Sequence, residues 1–162
     1  MKLDPGAAAS LKAVLLHDIE AVNKLQERLD SVEPGSSVQG EYPQMAAVAY
    51  CLHNIYNALE NSFEQISRSI ENHIVDRAQW HKELLAKMFL NMPPLRPRVL
   101  PDEVRKTLND LRGFRHLFRH AYDFELDNRR LTQLLEDWRA NRDAVLGALR
   151  EFALQLGDSD AV

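Results

Sequence analysis

The sequence predicts an all-α fold, a helical bundle of about five helices in which neighbours along the chain run antiparallel. Apolar residues recur at steps of three and four over most of the 162 residues. Glycine is scarce, at 6, and the 7 prolines fall outside the strongly periodic stretches, which favours long helices over a sheet. The length and the 45% hydrophobic content suit one core. We therefore expect residues 1–162 to form a single domain, with 1–9 and 157–162 flexible.

The first two predicted helices are long. The first runs from about Ser10, expected as its N-cap, to Val32, where the loop Glu33-Pro34-Gly35 ends it. The second runs from about Pro43 to Ile74. Its apolar side chains alternate at steps of three and four: Leu52, Ile55, Leu59, Phe63, Ile66 and Ile70. A helix of this length exceeds the width of a small domain, so it commonly protrudes or supports a dimer.

Three further helices follow, separated by a proline-rich connector. The third is expected over about Asp76 to Asn91, and the connector over Met92 to Arg98, where three prolines exclude a continuous helix. The fourth begins near Pro101, with acidic residues in its first turn, and reaches about Tyr122. The fifth spans about Asp127 to Leu156. Trp80 and Trp138 are expected to be core or interface anchors.

The formal net charge is −4, whereas a nucleic-acid binder usually carries a basic balance. Any contact with RNA must therefore come from a local basic patch. The single cysteine, Cys51, cannot form an internal disulfide, which fits a reducing compartment. No apolar run has the length of a signal peptide or a membrane span. We expect a soluble, cytoplasmic protein that contacts no membrane.

The fourth helix concentrates basic residues on one side. On a helical wheel Leu111, Phe114, Phe118 and Ala121 fall on one side, Arg112, Arg115, His116 and Arg119 on the other, and His120 and Tyr122 at opposite edges. Arginine offers a planar fork that matches phosphate oxygens, and histidine exchanges a proton near neutral pH. Such a cluster indicates a phosphate site able to cleave RNA through its 2′-hydroxyl without a metal. It is equally compatible with a solvated face whose arginines pair with acids.

Arg115 and His120 are five residues apart, which places them roughly 140° apart around a straight helix. They do not converge on one small group unless the helix bends or ends there, or a second copy of the chain supplies the partner residue. Symmetric dimers provide the latter.

These residues carry a resemblance to a known family. The run RHLFRHAY, from Arg115 to Tyr122, matches the R-x4-H-x-Y motif of HepT-type toxins. The surroundings match as well, with AYCLHNIYNALEN over 49–61, WHKELL over 80–85, RPRVL over 96–100 and FELD over 124–127. Over about residues 43–135 the chain therefore resembles the HepT-like branch of the HEPN superfamily.

The resemblance implies a metal-independent endoribonuclease toxin of a type VII, HepT/MNT-like toxin–antitoxin system, with no cofactor. Two protomers would bring their motifs together at a homodimer interface and cut transfer or messenger RNA. Arg115 would bind the scissile phosphate, and His120 would be the general acid/base. The remaining residues of the set would contact substrate: Arg112, His116, Arg119 and Tyr122. A cognate MNT-type nucleotidyltransferase antitoxin would attach AMP to Tyr122.

Two other interpretations stay open. One is a catalytically silent HEPN module that binds a nucleotidyltransferase or serves as its scaffold; an intact Arg115, His120 and Tyr122 favours the enzyme over it. The other is a plain helical-bundle interaction protein, favoured if the basic face is fully salt-bridged. Glu60 either orients Arg115 or forms an ordinary surface or interhelical pair. The remaining histidines are expected to be helix-face or core residues: His17, His53, His73 and His81.

Overall fold

A computed structural model describes residues 3–35, 38, 40–71, 80–120 and 125–156, and within these ranges the chain forms five α-helices and no β-strand. Their bounds are α1 Pro5–Val32, α2 Tyr42–Ile66, α3 Trp80–Met88, α4 Arg105–His120 and α5 Asn128–Gln155. A turn of π-helix, Ser67–Glu71, continues α2, and a 3₁₀ turn, Asp102–Val104, leads into α4. The prediction of an all-α bundle is confirmed.

Helix α2 is the central element, because it packs against each of the other four helices, most extensively against α1. Of the apolar stripe predicted for it, Leu52, Ile55, Leu59, Phe63 and Ile66 are buried and Ile70 is half-buried. Trp138 of α5 is fully buried, as expected for a core anchor. Its indole Nε1 donates a hydrogen bond of 2.7 Å to Gln26 Oε1, so the one polar atom of the ring is satisfied inside the core. No described helix has the length and apolar character needed to cross a membrane.

The beginning of α1 differs from the sequence prediction. The helix begins at Pro5, and its N-cap is Asp4, whose Oδ1 accepts a 3.0 Å hydrogen bond from the backbone N–H of Ala7. Ser10, predicted as the N-cap, lies inside the helix, and residues 5–9, predicted to be flexible, belong to it. Asp followed by Pro is a strong start signal, since proline has the right φ for the first helical position and lacks only a donor that would be unpaired there.

Other predicted helix ends also differ from the structure or lie outside the described residues. The α-helical part of α2 ends at Ile66, and α3 ends at Met88 instead of Asn91. The predicted end of the second helix at Ile74 and start of the third at Asp76 lie outside the described residues, as does the predicted end of the fourth helix at Tyr122. The expectation that 157–162 is flexible also concerns undescribed residues. The connector over 92–98 is non-helical, as its prolines predicted.

A buried ion pair fixes this connector to the bundle. Arg96 donates through Nε and Nη2 to Glu71 Oε1, at 3.0 and 2.6 Å, and both side chains are buried, 0% and 2% exposed. Further Arg96 N–H groups donate to the backbone oxygens of Lys87, Leu90 and Pro97 at 3.0–3.2 Å. The pair thus joins the π-helical turn, the end of α3 and the segment that enters α4.

The charge of Glu71 depends on this pairing. Burial acts to raise the pKa of its carboxyl, but the hydrogen bonds and charge of Arg96, with those of Ser67 and Lys87, outweigh burial and hold the pKa below its ordinary value. A lowered folded-state pKa contributes stability that is present above the unfolded pKa and is lost as the pH falls through the folded one.

Replacing Glu71 with alanine is expected to lower the free energy of unfolding by about 3–5 kcal/mol at pH 7, because the buried charge of Arg96 loses its counter-ion. Below about pH 4.3 the wild type also loses this contribution, so the two proteins converge in acid. Urea denaturation at a series of pH values measures both effects. Glu20→Ala is the control, since it removes an exposed pair with Lys24 and should leave stability unchanged. Equal effects of the two substitutions would contradict the prediction.

Candidate functional site

Helix α4 separates its residues into an apolar and a basic side, as predicted. Leu108, Leu111 and Phe114 are buried against the core. His116, Arg119 and His120 are exposed. The rings of His116 and His120 lie 4.8 Å apart between centroids, because residues four apart share a face of a helix. Three of the predicted site residues therefore form a solvent-facing group.

Arg115 lies apart from that group. Its side chain is only 10% exposed and faces α2, where Nε donates a 2.5 Å hydrogen bond to Asn57 Oδ1 and Nη2 lies 3.3 Å from Glu60 Oε1. The helical wheel had grouped Arg115 with Arg112, His116 and Arg119, so its separation from the exposed members of that group is a correction. Glu60 is buried and forms an ion pair with Arg115 between α2 and α4, so it is not a surface pair.

Three polar residues of α2 form the surface that holds Arg115. His53, Asn57 and Glu60 are spaced by four and three, so they lie on one face of the helix. His53 Nε2 is 3.0 Å from Asn57 Nδ2. Because the amide nitrogen is a donor, Nε2 must accept, which keeps the amide oxygen turned toward Arg115. Burial lowers the pKa of His53, and the charges of Arg115 and Arg119 lower it further, so the neutral ring that this contact requires is favoured.

Glu60 is shared between the arginine and a histidine of α3. Its second oxygen, Oε2, lies 2.9 Å from His81 Nδ1, although neither of these buried atoms is aligned for a hydrogen bond. The His81 ring is packed edge-on by Trp80, with centroids 4.7 Å apart. Trp80 is half-buried, so it is an anchor at the margin of the core. Through Glu60, helices α2, α3 and α4 meet at one carboxylate.

Tyr56 is a buried polar residue to which no sequence motif pointed. It is 0% exposed, and among the described residues its hydroxyl has no hydrogen-bond partner. Burial raises the pKa of this hydroxyl, and the charge of Glu60 adds to the rise, while Arg112 and Arg115 oppose it. Arg112 Nε is likewise buried without a partner in the described part of the chain. Buried polar atoms without a partner are rare in folded proteins and destabilise them.

The two motif residues are not in contact within the described part of the chain. Arg115 is engaged with α2, whereas His120, the last residue of α4, is exposed and packs on His116. This agrees with the angular separation expected from their spacing. Tyr122 lies outside the described residues. Among described residues, no group of three or more His, Cys, Asp or Glu side chains is arranged to hold a metal ion.

A family model described as HepT-like protein matches residues 47–156, about two thirds of the chain. The chain belongs to the HepT-like family. The matched range begins inside α2, ends at the close of α5, and includes Asn57, Glu60, Arg115 and His120. No curated protein and no solved structure matches the chain. The resemblance seen in the sequence is thereby confirmed at the level of the family. Membership of the HepT-like family implies a toxin–antitoxin context.

Tyr56→Phe is expected to maintain or raise the stability of this HepT-like protein, by up to about 1–3 kcal/mol, because it removes a hydroxyl that is buried without a partner. A raised folded-state pKa gives stability that is present below the unfolded pKa, about 10, and is lost as the pH rises. The variant should therefore also resist alkaline unfolding better. Thermal unfolding at neutral and alkaline pH measures both effects, with exposed Tyr50→Phe as the control. A clear loss of stability at neutral pH would mean that the hydroxyl is hydrogen-bonded.

Proposed function

We propose that this HepT-like chain is the metal-independent endoribonuclease toxin of a type VII, HepT/MNT-like toxin–antitoxin system. The observation that supports this most is the arrangement around α4, which carries a buried arginine held by Asn57 and Glu60 on one side and an exposed pair of histidines on another. A fixed guanidinium stabilises developing phosphate charge better than a mobile one, because it need not reorganise during the reaction.

The proposed reaction is transesterification of RNA. A base removes the proton of the ribose 2′-hydroxyl, and the 2′-oxygen forms a bond to the adjacent phosphorus. The bond from phosphorus to the 5′-oxygen of the next nucleotide breaks, and that oxygen takes up a proton. The products are a 2′,3′-cyclic phosphate and a 5′-hydroxyl. His120 is the proposed general acid/base, and Arg115 binds the phosphate with the N–H groups that Asn57 and Glu60 leave free.

The remaining basic residues of α4 have supporting roles in the proposal. Arg112, His116 and Arg119 contact neighbouring phosphates of a transfer or messenger RNA, since a basic patch supplies most of the affinity for a nucleic-acid backbone. Because Arg115 and His120 lie on different sides of α4, we propose a homodimer in which each site takes its arginine and its histidine from different copies.

The alternative function is a catalytically silent HEPN module that binds a nucleotidyltransferase. One observation favours it: the pairing of Arg115 with Glu60 satisfies the guanidinium inside one chain and requires no substrate. The two functions predict different results when Arg115 or His120 is replaced. RNA cleavage is lost if the chain is a ribonuclease, whereas no activity changes if it is a silent module.

Arg115→Ala and His120→Ala are each expected to abolish growth arrest on expression and to slow cleavage of purified RNA. The loss for His120→Ala should be on the order of 10²- to 10⁴-fold, as for a general acid/base. Arg115→Lys should restore little, because lysine lacks the planar fork. His17→Ala, at an exposed histidine of α1, is the matched control and should retain full activity. Cleavage that EDTA abolishes and magnesium restores would contradict the metal-independent mechanism, and retained cleavage in both alanine variants would favour the silent module.

The same two inactive variants test the shared site. Mixed dimers of Arg115→Ala and His120→Ala contain one intact site if the arginine and histidine come from different copies, and none if both come from one chain. Recovery of cleavage on mixing, with no recovery from either variant alone, is the expected result. Sedimentation of the wild type at tens of micromolar supplies the independent control, because a monomer at that concentration rules out a stable specific interface.

The proposed regulation concerns Tyr122, two residues beyond His120 in the sequence. A cognate nucleotidyltransferase with ATP is expected to transfer AMP to it: the phenolic oxygen bonds to the α-phosphorus, pyrophosphate leaves and the phenolic proton is released. The added negative charge would compete with RNA for the arginines of α4. Intact mass after incubation with the partner measures the transfer. The increase should vanish in Tyr122→Phe and persist in Tyr50→Phe; an increase that survives Tyr122→Phe places the modification elsewhere.

A further inference from the structure

A groove lies between α4 and α5 on the opposite flank of α4 from Arg115. Its volume is about 240 Å³, and it is lined mainly by Asn109, Asp110 and Gly113 of α4 and by Arg130, Gln133 and Asp137 of α5. Drug-sized pockets have volumes of roughly 300–1,000 Å³. This groove, called here the Gly113 groove, is therefore large enough for one small planar group but too small for a large ligand.

The glycine at its floor has no structural explanation in the fold. Glycine in the middle of a helix is less stable than alanine, because its backbone loses more freedom on folding. A Cβ at Gly113 would meet no atom within 4 Å, so no neighbouring helix requires the small residue. Because Gly113 has no side chain, the groove is open above the buried Leu134. Glycine at such a place fits a surface that something else approaches closely.

The polar groups around the groove favour a ligand with amino groups. Asn109 Nδ2 donates to the backbone oxygen of Arg105 at 2.9 Å, and Gln133 Nε2 donates to Asp137 Oδ1 at 2.9 Å. Each amide is thereby oriented with its carbonyl oxygen free to accept. The carboxylates of Asp110 and Asp137 add further acceptors, partly neutralised by Lys106 at 2.7 and 3.5 Å. Carboxylates repel a phosphate, but they accept hydrogen bonds from the exocyclic amino group of a nucleobase.

The groove lies on the same face of α4 as the exposed histidines. Gly113, His116 and His120 are spaced by three and four, so they follow one face of α4. At a rise of 1.5 Å per residue, Gly113 and His120 are about 10 Å apart along the helix axis. A phosphate near His120 and a base in the groove can therefore belong to one short stretch of single-stranded RNA. Arg130, exposed at the rim and without an ion pair among the described residues, is placed to contact the backbone of that stretch.

We propose that the Gly113 groove is a nucleobase subsite, which takes one base of the RNA strand beside the scissile phosphate and selects adenine, cytosine or guanine over uracil. Uracil has no exocyclic amino group, and its one free N–H donor, at N3, could pair with only one of the two free oxygens of Asn109 and Gln133. Single-stranded RNA is recognised in this way by many proteins, through the edges of unstacked bases. The inference rests on the proposed ribonuclease function and extends it from phosphate binding to sequence preference.

Filling the groove tests the subsite. The probes are oligoribonucleotides in which each position flanking the cleavage site is varied in turn to A, C, G or U. The wild type should disfavour uracil at one position by roughly tenfold or more. Gly113→Phe should lose that preference while it keeps cleavage of the uracil-containing probe within a few-fold. Gly113→Ala is the folding control: it should raise the melting temperature and keep most of the preference, since one methyl group leaves the groove largely open.

A second measurement does not depend on catalysis. Isotope-labelled protein is titrated with AMP, CMP or UMP, and the side-chain amide signals of Asn109 and Gln133 are followed by NMR. AMP and CMP should shift these signals in the wild type and in Gly113→Ala, whereas UMP should not, and Gly113→Phe should respond to none. Cleavage without base preference and without these shifts overturns the subsite and leaves the ribonuclease proposal standing. Shifts without any RNA cleavage overturn the ribonuclease proposal and retain the groove as a nucleobase site. A change of sedimentation in Gly113→Phe would identify the groove as an interface between copies and overturn the subsite.

Discussion

A guanidinium taken out of water must find both a counter-charge and hydrogen-bond acceptors, and Arg115 finds them on α2. Asn57 supplies the acceptor, and Glu60 supplies the charge. Each of these partners imposes a further requirement. The amide of Asn57 is oriented by a neutral His53, and the second oxygen of Glu60 lies against His81. The burial of one arginine thus determines the polar face of α2 and fixes the rotation of α4 about its own axis.

Once that rotation is fixed, the direction in which each other residue of α4 faces is fixed as well. One edge, with Arg115, faces α2; the next part of the surface presents Arg119, His116 and His120 to solvent; the far edge, with Gly113, borders α5. A strand of RNA laid across the helix would meet arginine, then histidine, then a polar groove. Once Arg115 is anchored, this order follows from helical geometry alone, because each residue is rotated by about 100° from the one before it and its position around the axis is therefore fixed.

Much of the fold could be predicted from the sequence, since apolar periodicity reports burial directly. Leu52, Ile55 and Phe63 lie where their spacing placed them, and Trp138 is in the core. The same reasoning grouped Arg115 with Arg112, His116 and Arg119 on one basic side, because a periodicity of apolar residues cannot distinguish a buried polar side chain from an exposed one. Its partner Asn57 is 58 residues away in the sequence, and nothing local signals the pairing. The start of α1 was missed for a different reason: Asp4 and Pro5 are a capping signal that precedes the apolar pattern.

Only part of the positive charge on α4 is matched by acidic side chains in the described part of the chain. In a chain of net charge −4, the basic side chains of Arg96 and Arg115 are matched by buried acids. Arg119 has no ion pair within the described ranges, although it is four residues from Arg115. Like charges at this spacing repel and destabilise a helix, and Glu60 pairs only with the buried Arg115. A helix selected for stability alone would place acids beside these residues, as the pairing of Lys106 with Asp110 does one turn from its start. A bound polyanion would relieve the repulsion left on α4, so under the proposed function the charges that weaken the free protein are those that bind RNA.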